Sequence, residues 1–343
     1  MPGHSRPRNA DLAETDPATP DLTQMGGEAS PKHVVPDRVP SGGGARRRRL
    51  SRRGQLGLML APYLVGLVLL VLGPSLVTFA LAFADYDLIG AVEWVGVANF
   101  VELAGSPAFH AALSNSLGFA AVAVPLRLLL AFGLALLLYR RAPGVGTART
   151  AVTLPAAVPE VAYGLLWLWL LNPMYGPINQ ILRTFAEPDS IPNWLTDPTD
   201  ARAGIILMSL FTIGETFIVL LVARRAVPAE VYEMAAIEGA TGWYLLRRVT
   251  LPLMAPVLGL LLLRDTILSF QFSFVPALVV TEGGPPPYAT TYLPLFVYRN
   301  AFEYLRYGYA AAATLVMLLC TGAAVFLQWR LIRRYHARYT THR

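Results

Sequence analysis

Lysine and cysteine are almost missing from this chain. Lys32 is the only lysine and Cys320 the only cysteine among 343 residues. A single cysteine excludes a disulfide within the chain, and its place inside an apolar run favours packing over thiol chemistry. A phosphate-binding loop needs Gly-x-x-x-x-Gly-Lys-Ser/Thr, and the sequence Pro31-Lys32-His33 does not fit it. The chain therefore has no nucleotide-hydrolysing motif of that type.

Grouped metal ligands and grouped acidic residues are also lacking. The histidines are scattered over two tails and one loop: His4, His33, His110, His336 and His342. This scattering predicts no metal site. It also argues against a membrane-bound transferase, which would need acidic or histidine side chains grouped at one face. Asp85 and Asp87 come nearest to such a group, and two residues are too few.

Long apolar runs are what the chain has in excess. Hydrophobic residues make up 55 % of it, against about 45–50 % in a soluble domain. They gather into six blocks near the length that a helix needs to cross about 30 Å of hydrocarbon. The blocks are Leu56–Phe83, Ala111–Tyr139, Arg149–Leu171, Gly204–Ala223, Leu253–Leu278 and Tyr309–Leu331. We therefore predict an all-α integral membrane protein, with about six transmembrane helices in residues 54–343.

Residues 1–53 are polar and end in an arginine cluster. Such a segment buries too little apolar surface to fold, so we predict a disordered, Arg-rich cytoplasmic tail. Its cluster either anchors the chain beside anionic lipid or binds a regulatory partner. No apolar stretch follows Met1, so we expect no cleavable signal peptide.

Arginine clusters fall on every second segment between the apolar blocks. The positive-inside rule then predicts that both termini are cytoplasmic. The same rule accounts for the net charge of +6, so we expect membrane lipid, and no nucleic acid, as a partner.

One cytoplasmic segment, residues 227–252, is too long and too patterned for a simple turn. Pro228 suits the first turn of a helix, and apolar residues follow it at helical spacing. Gly239 permits a tight bend, a second short helix starts near Trp243, and Pro252 opens the next membrane block. The pattern predicts a helix–glycine–helix element whose apolar face rests on lipid or docks in a partner's groove.

This segment resembles the EAA loop of permease subunits of ABC importers, which reads Glu-Ala-Ala, three residues, Gly, nine residues, Ile-x-Leu-Pro. Met234 replaces the first alanine of that pattern and Val249 its isoleucine. In the family this loop is the coupling helix, which seats in a cleft of a separate ATPase subunit. The resemblance assigns ATPase coupling to Glu233, Ala235, Ala236, Gly239, Leu251 and Pro252.

Other stretches are similar to carbohydrate-type permeases: residues 96–100, 115–116, 154–159, 176–179, 281–285, 298–302 and 306–312. The resemblance implies the type I importer permease fold and half of a solute pathway in a bacterial inner membrane. It implies four kinds of partner: a second homologous permease, two ATPase subunits, an extracellular or periplasmic solute-binding protein, and a carbohydrate. The chain itself is then no enzyme and holds no cofactor, since ATP and Mg are used by the ATPase subunits.

Two alternatives stay open. The solute could be another polyol or a glycerol-phosphate-like compound. A secondary transporter would need inverted repeats or a proton relay, and we find no convincing internal repeat.

Four charged residues fall inside apolar blocks: Arg127, Glu215, Arg264 and Asp265. Charges at mid-bilayer are costly and face a partner or a cavity. Glu215 and Arg264 are either an ion pair that locks two helices or part of a polar solute pathway. Arg127 has the same two interpretations. Glu160, near the inner end of block three, either snorkels to the membrane interface or pairs with Arg149.

Block five then carries hydroxyl, amide and aromatic groups of the kind that suits sugars. Gln271 lies seven residues after Arg264, so both share one helix face. The resemblance places solute contacts in this stretch, with packing as the alternative for its phenylalanines. The candidate pathway residues are Glu215, Arg264, Ser269, Phe270, Gln271, Ser273 and Phe274.

Overall fold

The computed structural model describes residues 52–140, 142–187 and 190–340. The predicted tail, residues 1–53, lies outside this part of the chain except for Arg52 and Arg53, which begin the first helix. The chain divides into two compact units, Met1–Met59 and Leu60–Arg343. Of the first unit, the structure describes only the start of that helix.

The described residues are almost entirely helical, as predicted. Their only strands form a two-stranded antiparallel hairpin, in which β1 (Ala84–Asp85) pairs with β2 (Glu93–Trp94). The helices are α1 (Arg52–Leu67), α2 (Gly73–Leu81), α3 (Ala98–Gly105), α4 (Pro107–Leu137), α5 (Val145–Thr153), α6 (Glu160–Leu170), α7 (Pro177–Leu182), α8 (Pro198–Leu210), α9 (Gly214–Ala226), α10 (Ala229–Ile237), α11 (Gly242–Tyr244), α12 (Leu251–Phe272), α13 (Phe274–Val279), α14 (Leu293–Tyr298) and α15 (Tyr307–Thr340).

In the described part of the chain, four helices are long and apolar enough to cross a membrane, and two bent helix pairs make six if each pair counts as one span. We number the six as spans 1 to 6 in chain order. They are Leu56–Leu81, Pro107–Leu137, Val145–Ala157 with Glu160–Leu170, Pro198–Leu210 with Gly214–Ala226, Gly242–Val279 and Tyr307–Arg334. All six predicted blocks are thus helical, but blocks three and four are not single straight helices.

Span 3 bends by 106° at its break. Val158 and Pro159 there have extended backbone angles, with ψ of 132° and 138°. A residue before proline is pushed away from the helical region, and proline has no N–H to continue the ladder. The chain resumes as α6 at Glu160, directly after the proline. Span 4 bends by 45° across the turn residues that precede Gly214.

Pro252 lies in the first turn of α12, as expected, but no break separates α12 from the short helix before it. The helix is continuous from Gly242 and passes through a π turn, Leu245–Thr250. There the Leu251 N–H bonds five residues back, to the Leu246 carbonyl. The wider turn accommodates a proline, which lacks an N–H and would clash with the carbonyl four residues earlier. A second π turn precedes Pro74 in span 1 in the same way.

Helix α4 lies at the centre of the packing and contacts α8, α9, α12 and α14. Its buried residues recur every three or four positions and so form one stripe. They include Ala112, Ser116, Phe119, Ala123, Arg127, Ala131 and Ala135. Small residues let neighbouring helices approach closely in a membrane.

The breaks of spans 3 and 4 touch at Gly214. A Cβ on this glycine would lie 2.9 Å from the Thr153 Cα and 3.2 Å from the Ala156 Cβ. The nearest obstacle is backbone, which cannot move aside as a flexible side chain can. The glycine is therefore what allows the two broken spans to meet.

We predict that Gly214→Ala lowers the thermal stability of the purified chain. Forcing a methyl group against backbone typically costs about 1–3 kcal/mol. Gly133→Ala is the matched control, since Gly133 is also in a membrane helix and nothing lies within 4 Å of its Cβ position. Thermal unfolding followed by size-exclusion fluorescence measures both. Equal stability of the two variants would contradict the close approach.

Candidate translocation surface and coupling segment

A buried ion pair joins spans 2 and 5. Arg127 Nε donates to Asp265 Oδ2 at 3.1 Å, and its terminal nitrogen donates to the Ser269 hydroxyl. The guanidinium also lies 5.9 and 5.8 Å from the ring centroids of Phe119 and Phe272. The two charged side chains are only 6 % and 12 % exposed. This pair therefore serves packing between helices, and Ser269, a predicted pathway residue, is part of it.

A second ion pair lies on an open surface. Arg264 donates to Glu215 Oε2 at 2.5 Å, with the side chains 37 % and 68 % exposed. Arg264 and Asp265 are neighbours, about 100° apart around the helix, so one faces outwards and the other inwards. Exposed charges cannot lie against hydrocarbon without a large cost. This face must meet water or another protein.

The open pair borders a cavity of about 200 Å³. Both helix breaks open onto it, through Val158 of span 3 and Thr212 of span 4. At membrane depth, backbone outside a helix is tolerated only where it is buried in protein or lines a water-filled cavity. The lining residues include Val158, Glu160, Tyr163, Thr212, Glu215 and Phe272. We call this cavity, with Arg264 and Gln271, the translocation surface.

The structure divides the predicted pathway residues of block five into two groups. Gln271 is exposed, and Phe274 is half-buried with its ring centroid 5.2 Å from that of Tyr298. Phe270 is 4 % exposed and belongs to the hydrophobic core. Ser273 is 1 % exposed, and its hydroxyl has no hydrogen-bond partner among the described residues. Phe270, Ser269 and Ser273 are thus buried rather than on the open face.

The sequence interpretation missed Glu160 as a cavity residue. The suggested pairing of Glu160 with Arg149 is wrong, because the Arg149 guanidinium donates to the carbonyls of Leu138 and Arg140 at 2.8 and 3.0 Å. Glu160 instead lines the cavity directly after the break of span 3. The two prolines that flank Val158 were the available signal for a break.

Asp87, one of the two acidic residues considered for transferase chemistry, has a structural role. The Asp87 carboxylate accepts from the N–H groups of Gly90 and Ile89 at 2.8 and 3.0 Å. These hydrogen bonds lower the pKa of Asp87 and hold the tip of the β1–β2 hairpin.

The predicted coupling element forms a helix, α10, that ends at a glycine turn. Gly239 has a φ of +77°, in the region that favours glycine. Its N–H bonds to the Ala236 carbonyl, and the next N–H, of Ala240, bonds to the Ala235 carbonyl, both at 3.0 Å. This is the Schellman pattern of helix ends. Two of the predicted coupling alanines thus accept the bonds that close the bend.

Large apolar side chains are exposed along this segment. Met234, Ile237, Trp243 and Tyr244 are between 53 % and 86 % exposed, and Glu233 lies beside them, also exposed. Leu251 and Pro252 are half-buried at the start of α12 instead. A contiguous exposed apolar patch marks a surface that meets another protein or a membrane.

A helical membrane chain with broken spans around a cavity and an exposed apolar segment at one end has the architecture of a transporter subunit. A profile of the family described as binding-protein-dependent transport system inner membrane component matches residues 127–336. The chain belongs to this family of permease subunits of ABC transporters, which are transport components rather than enzymes.

Two curated relatives extend the match over most of the chain. The trehalose/maltose transport system permease protein MalF of Thermococcus litoralis is 30% identical over 288 residues, which are 82% of this chain and 96% of that protein. The sn-glycerol-3-phosphate transport system permease protein UgpA of Agrobacterium fabrum is 29% identical over 283 residues, 81% of this chain and 94% of that one.

A solved structure shares the fold. A chain of a bacterial alginate ABC transporter, in complex with an alginate pentasaccharide-bound periplasmic protein, superposes with a TM-score of 0.72 at 23% identity. The match covers 83% of this chain and 96% of that one. The predicted permease fold, membrane location and subunit class are confirmed, while the cytoplasmic placement of the termini stays a prediction.

We predict that Arg127→Met destabilises the chain by about 3–5 kcal/mol, because it leaves Asp265 charged and buried without a partner. The double variant Arg127→Met/Asp265→Leu should recover most of the loss, since neither charge then remains. Thermal unfolding of the purified chain measures both. A double variant no more stable than the single one would show that the pair is not the reason for the loss.

Proposed function

We propose that the chain forms half of the solute pathway of an ABC sugar importer, and that a second, homologous permease forms the other half. The observation that carries the proposal is the Glu215–Arg264 pair, which lies on an open face beside the cavity at the two helix breaks. A polar face of this kind on a membrane subunit suits an aqueous pathway closed by a partner.

The chemistry of this face supports a sugar as the solute. Glu215, Arg264 and Gln271 offer acceptors and donors for hydroxyl groups, and the half-buried ring of Phe272 offers a flat apolar contact. The relatives carry trehalose or maltose in one case and glycerol 3-phosphate in the other, according to their names. Two carboxylates, Glu160 and Glu215, line the cavity, and one guanidinium, that of Arg264, pairs with Glu215. The excess of negative charge favours a neutral sugar over an anionic solute.

Energy for import has to come from separate subunits, because the sequence contains no phosphate-binding loop. In this proposal two ATPase subunits bind ATP and Mg, and one of them docks on the apolar patch of α10 and α11. The arginine clusters at this end of the spans then lie in the cytoplasm. A solute-binding protein delivers the sugar at the opposite end.

A binding experiment tests the solute class. The solute-binding protein of the same transporter is titrated with maltose, trehalose, lactose, glucose, glycerol 3-phosphate and an alginate trisaccharide. Each compound bound is then offered to liposomes that contain the full transporter. We expect ATP-dependent uptake of a neutral saccharide. Uptake of glycerol 3-phosphate alone would refute the sugar assignment, and uptake of the alginate trisaccharide alone would refute the preference for a neutral sugar. Uptake by the permease pair without ATPase subunits would refute the importer class.

We predict that Glu215→Gln raises the KM for the imported sugar about tenfold, because the loss of one charge-assisted contact costs about 1.4 kcal/mol. The amide keeps the size of the side chain, so assembly should be unaffected. Glu93→Gln, the same change in an exposed residue of the hairpin, is the control. Equal uptake kinetics in both variants would remove Glu215 from the pathway.

We predict that Gly239→Val reduces ATP-dependent uptake at least about tenfold, because a β-branched residue at this positive φ costs about 1–3 kcal/mol. The glycine has open space around its Cβ position, so the variant should still enter the membrane with its partners. Gly239→Asn is the control, since asparagine tolerates the left-handed region. The prediction fails if the valine variant transports as well as the asparagine one.

A further inference from the structure

Arg224 is the side chain that joins the coupling helix to the spans. It lies in the last turn of α9, at the end of span 4, and is 9 % exposed. Its guanidinium carbon lies 4.3 Å from the ring centroid of Tyr139 and 4.2 Å from that of Tyr232. One ring follows the end of span 2 and the other belongs to α10. Two aromatic rings from different parts of the chain thus contact one planar cation.

This arrangement is not an ordinary ion pair. Within the described part of the chain, no carboxylate oxygen lies within 4.0 Å of the Arg224 guanidinium. A cation over an aromatic face gains most where water is excluded, and arginine stacks on rings in a way that lysine does not. The position at a helix C-terminus also favours the positive charge.

The second ring, of Tyr232, is held from another side as well. Its hydroxyl lies 3.0 Å from the hydroxyl of Thr250, a residue 4 % exposed in the π turn of span 5. Tyr232 therefore contacts span 4 through Arg224 and span 5 through Thr250, and Arg224 extends the link to span 2.

The other residues of α10 make few packing contacts with the rest of the chain. None of its residues is buried, and it packs mainly against the π turn Leu245–Thr250. Two residues, Val227 and Pro228, connect it to α9 with extended backbone angles. Without the stack, the coupling helix would be attached through this short connection, the glycine turn, its packing against the π turn and one hydroxyl contact.

We propose that the Tyr139–Arg224–Tyr232 stack is the positioning element that makes span 2 and the coupling helix move as one body when the ATPase subunits change state. This inference rests on the proposed coupling function of α10. Arg224 is a positioning residue here, since it is assigned no contact with solute or nucleotide.

The test is a distance measurement in the full transporter, and it needs only nucleotide as the probe. Cys320→Ala gives a cysteine-free chain, and spin labels are placed at Glu230→Cys in α10 and Leu137→Cys in span 2, both exposed positions. Distances are recorded without nucleotide and after trapping with ATP, Mg and vanadate. With the native stack we expect the same distance in both states.

In Arg224→Gln the two states should differ by about 2–5 Å, the scale of helix shifts at interfaces. Arg225→Gln is the matched control: Arg225 is the next residue, exposed, and should leave the two distances equal. Arg224→Lys should give an intermediate result, because lysine keeps the charge but not the stacking plane.

Three results would overturn the proposal. The label-to-label distance could be equal in the nucleotide-free and trapped states of Arg224→Gln, or it could differ between these states in Arg225→Gln as much as in Arg224→Gln. It could also already differ between the two states in the chain with the native stack. A contact that is merely structural would shift the nucleotide-free distance and keep the two states equal. If Arg224→Gln does not assemble, Tyr139→Leu removes one ring from the span 2 side and decides by the same criterion. The Gly239→Val uptake assay separates the two ideas, since normal uptake there would remove the coupling role itself.

Discussion

The fold depends on one constraint: within hydrocarbon, every backbone N–H and C=O must find its partner inside the protein. Continuous helices meet this requirement alone, so each departure from the helix has to be placed where protein or water can replace the lost bonds. The breaks at Val158–Pro159 and before Gly214 are placed together, and they open onto one cavity. The π turns at Leu245–Thr250 and before Pro74 solve the same problem differently, because they keep the helix continuous around a proline. A proline in an apolar block can therefore break the helix or be accommodated by a π turn, and elsewhere the α-helix simply continues through it, as at Pro62, Pro125 and Pro256.

Charged side chains in the apolar blocks are under the same constraint, because they too need a partner in the protein or contact with water. Arg264 and Asp265 are adjacent, yet the first lies on the open face with Glu215 and the second is buried with Arg127. A turn of about 100° per residue is enough to give two neighbours opposite surroundings. The inner pair fixes spans 2 and 5 against each other, and the outer pair leaves polar groups where a second protein or water has to cover them. The stabilising pair and the pair proposed to contact solute are thus separated by orientation rather than by position along the chain.

The spans, their approximate ends and the glycine turn of the coupling segment were predictable, because length, hydropathy and one positive-φ position are local properties. The burial of Phe270 and Ser269 was not, since both lie on the same apolar block as Gln271 and only the neighbours of α12 decide which face is covered. The partner of Asp265 was equally hidden, because 138 residues separate it from Arg127. Glu160 was given the wrong partner for a related reason: Arg149 is close in sequence, but its guanidinium caps the carbonyls at the end of span 2.

The coupling segment was the easiest part to recognise in the sequence, and it is among the least packed parts of the structure. The clear sequence pattern and the weak packing agree with each other, because α10 buries none of its side chains and so gains little stability from the rest of the chain. A segment whose apolar residues are not needed for its own core is free to be shaped by the surface of a partner, and the resulting pattern is a property of the binding site. The same exposure makes a fixed attachment necessary, since a docked helix that moved independently of the spans would transmit no displacement. The stack around Arg224 and the contact of Tyr232 with Thr250 supply that attachment, because they join α10 to span 4 and span 5 directly and to the end of span 2 through Arg224.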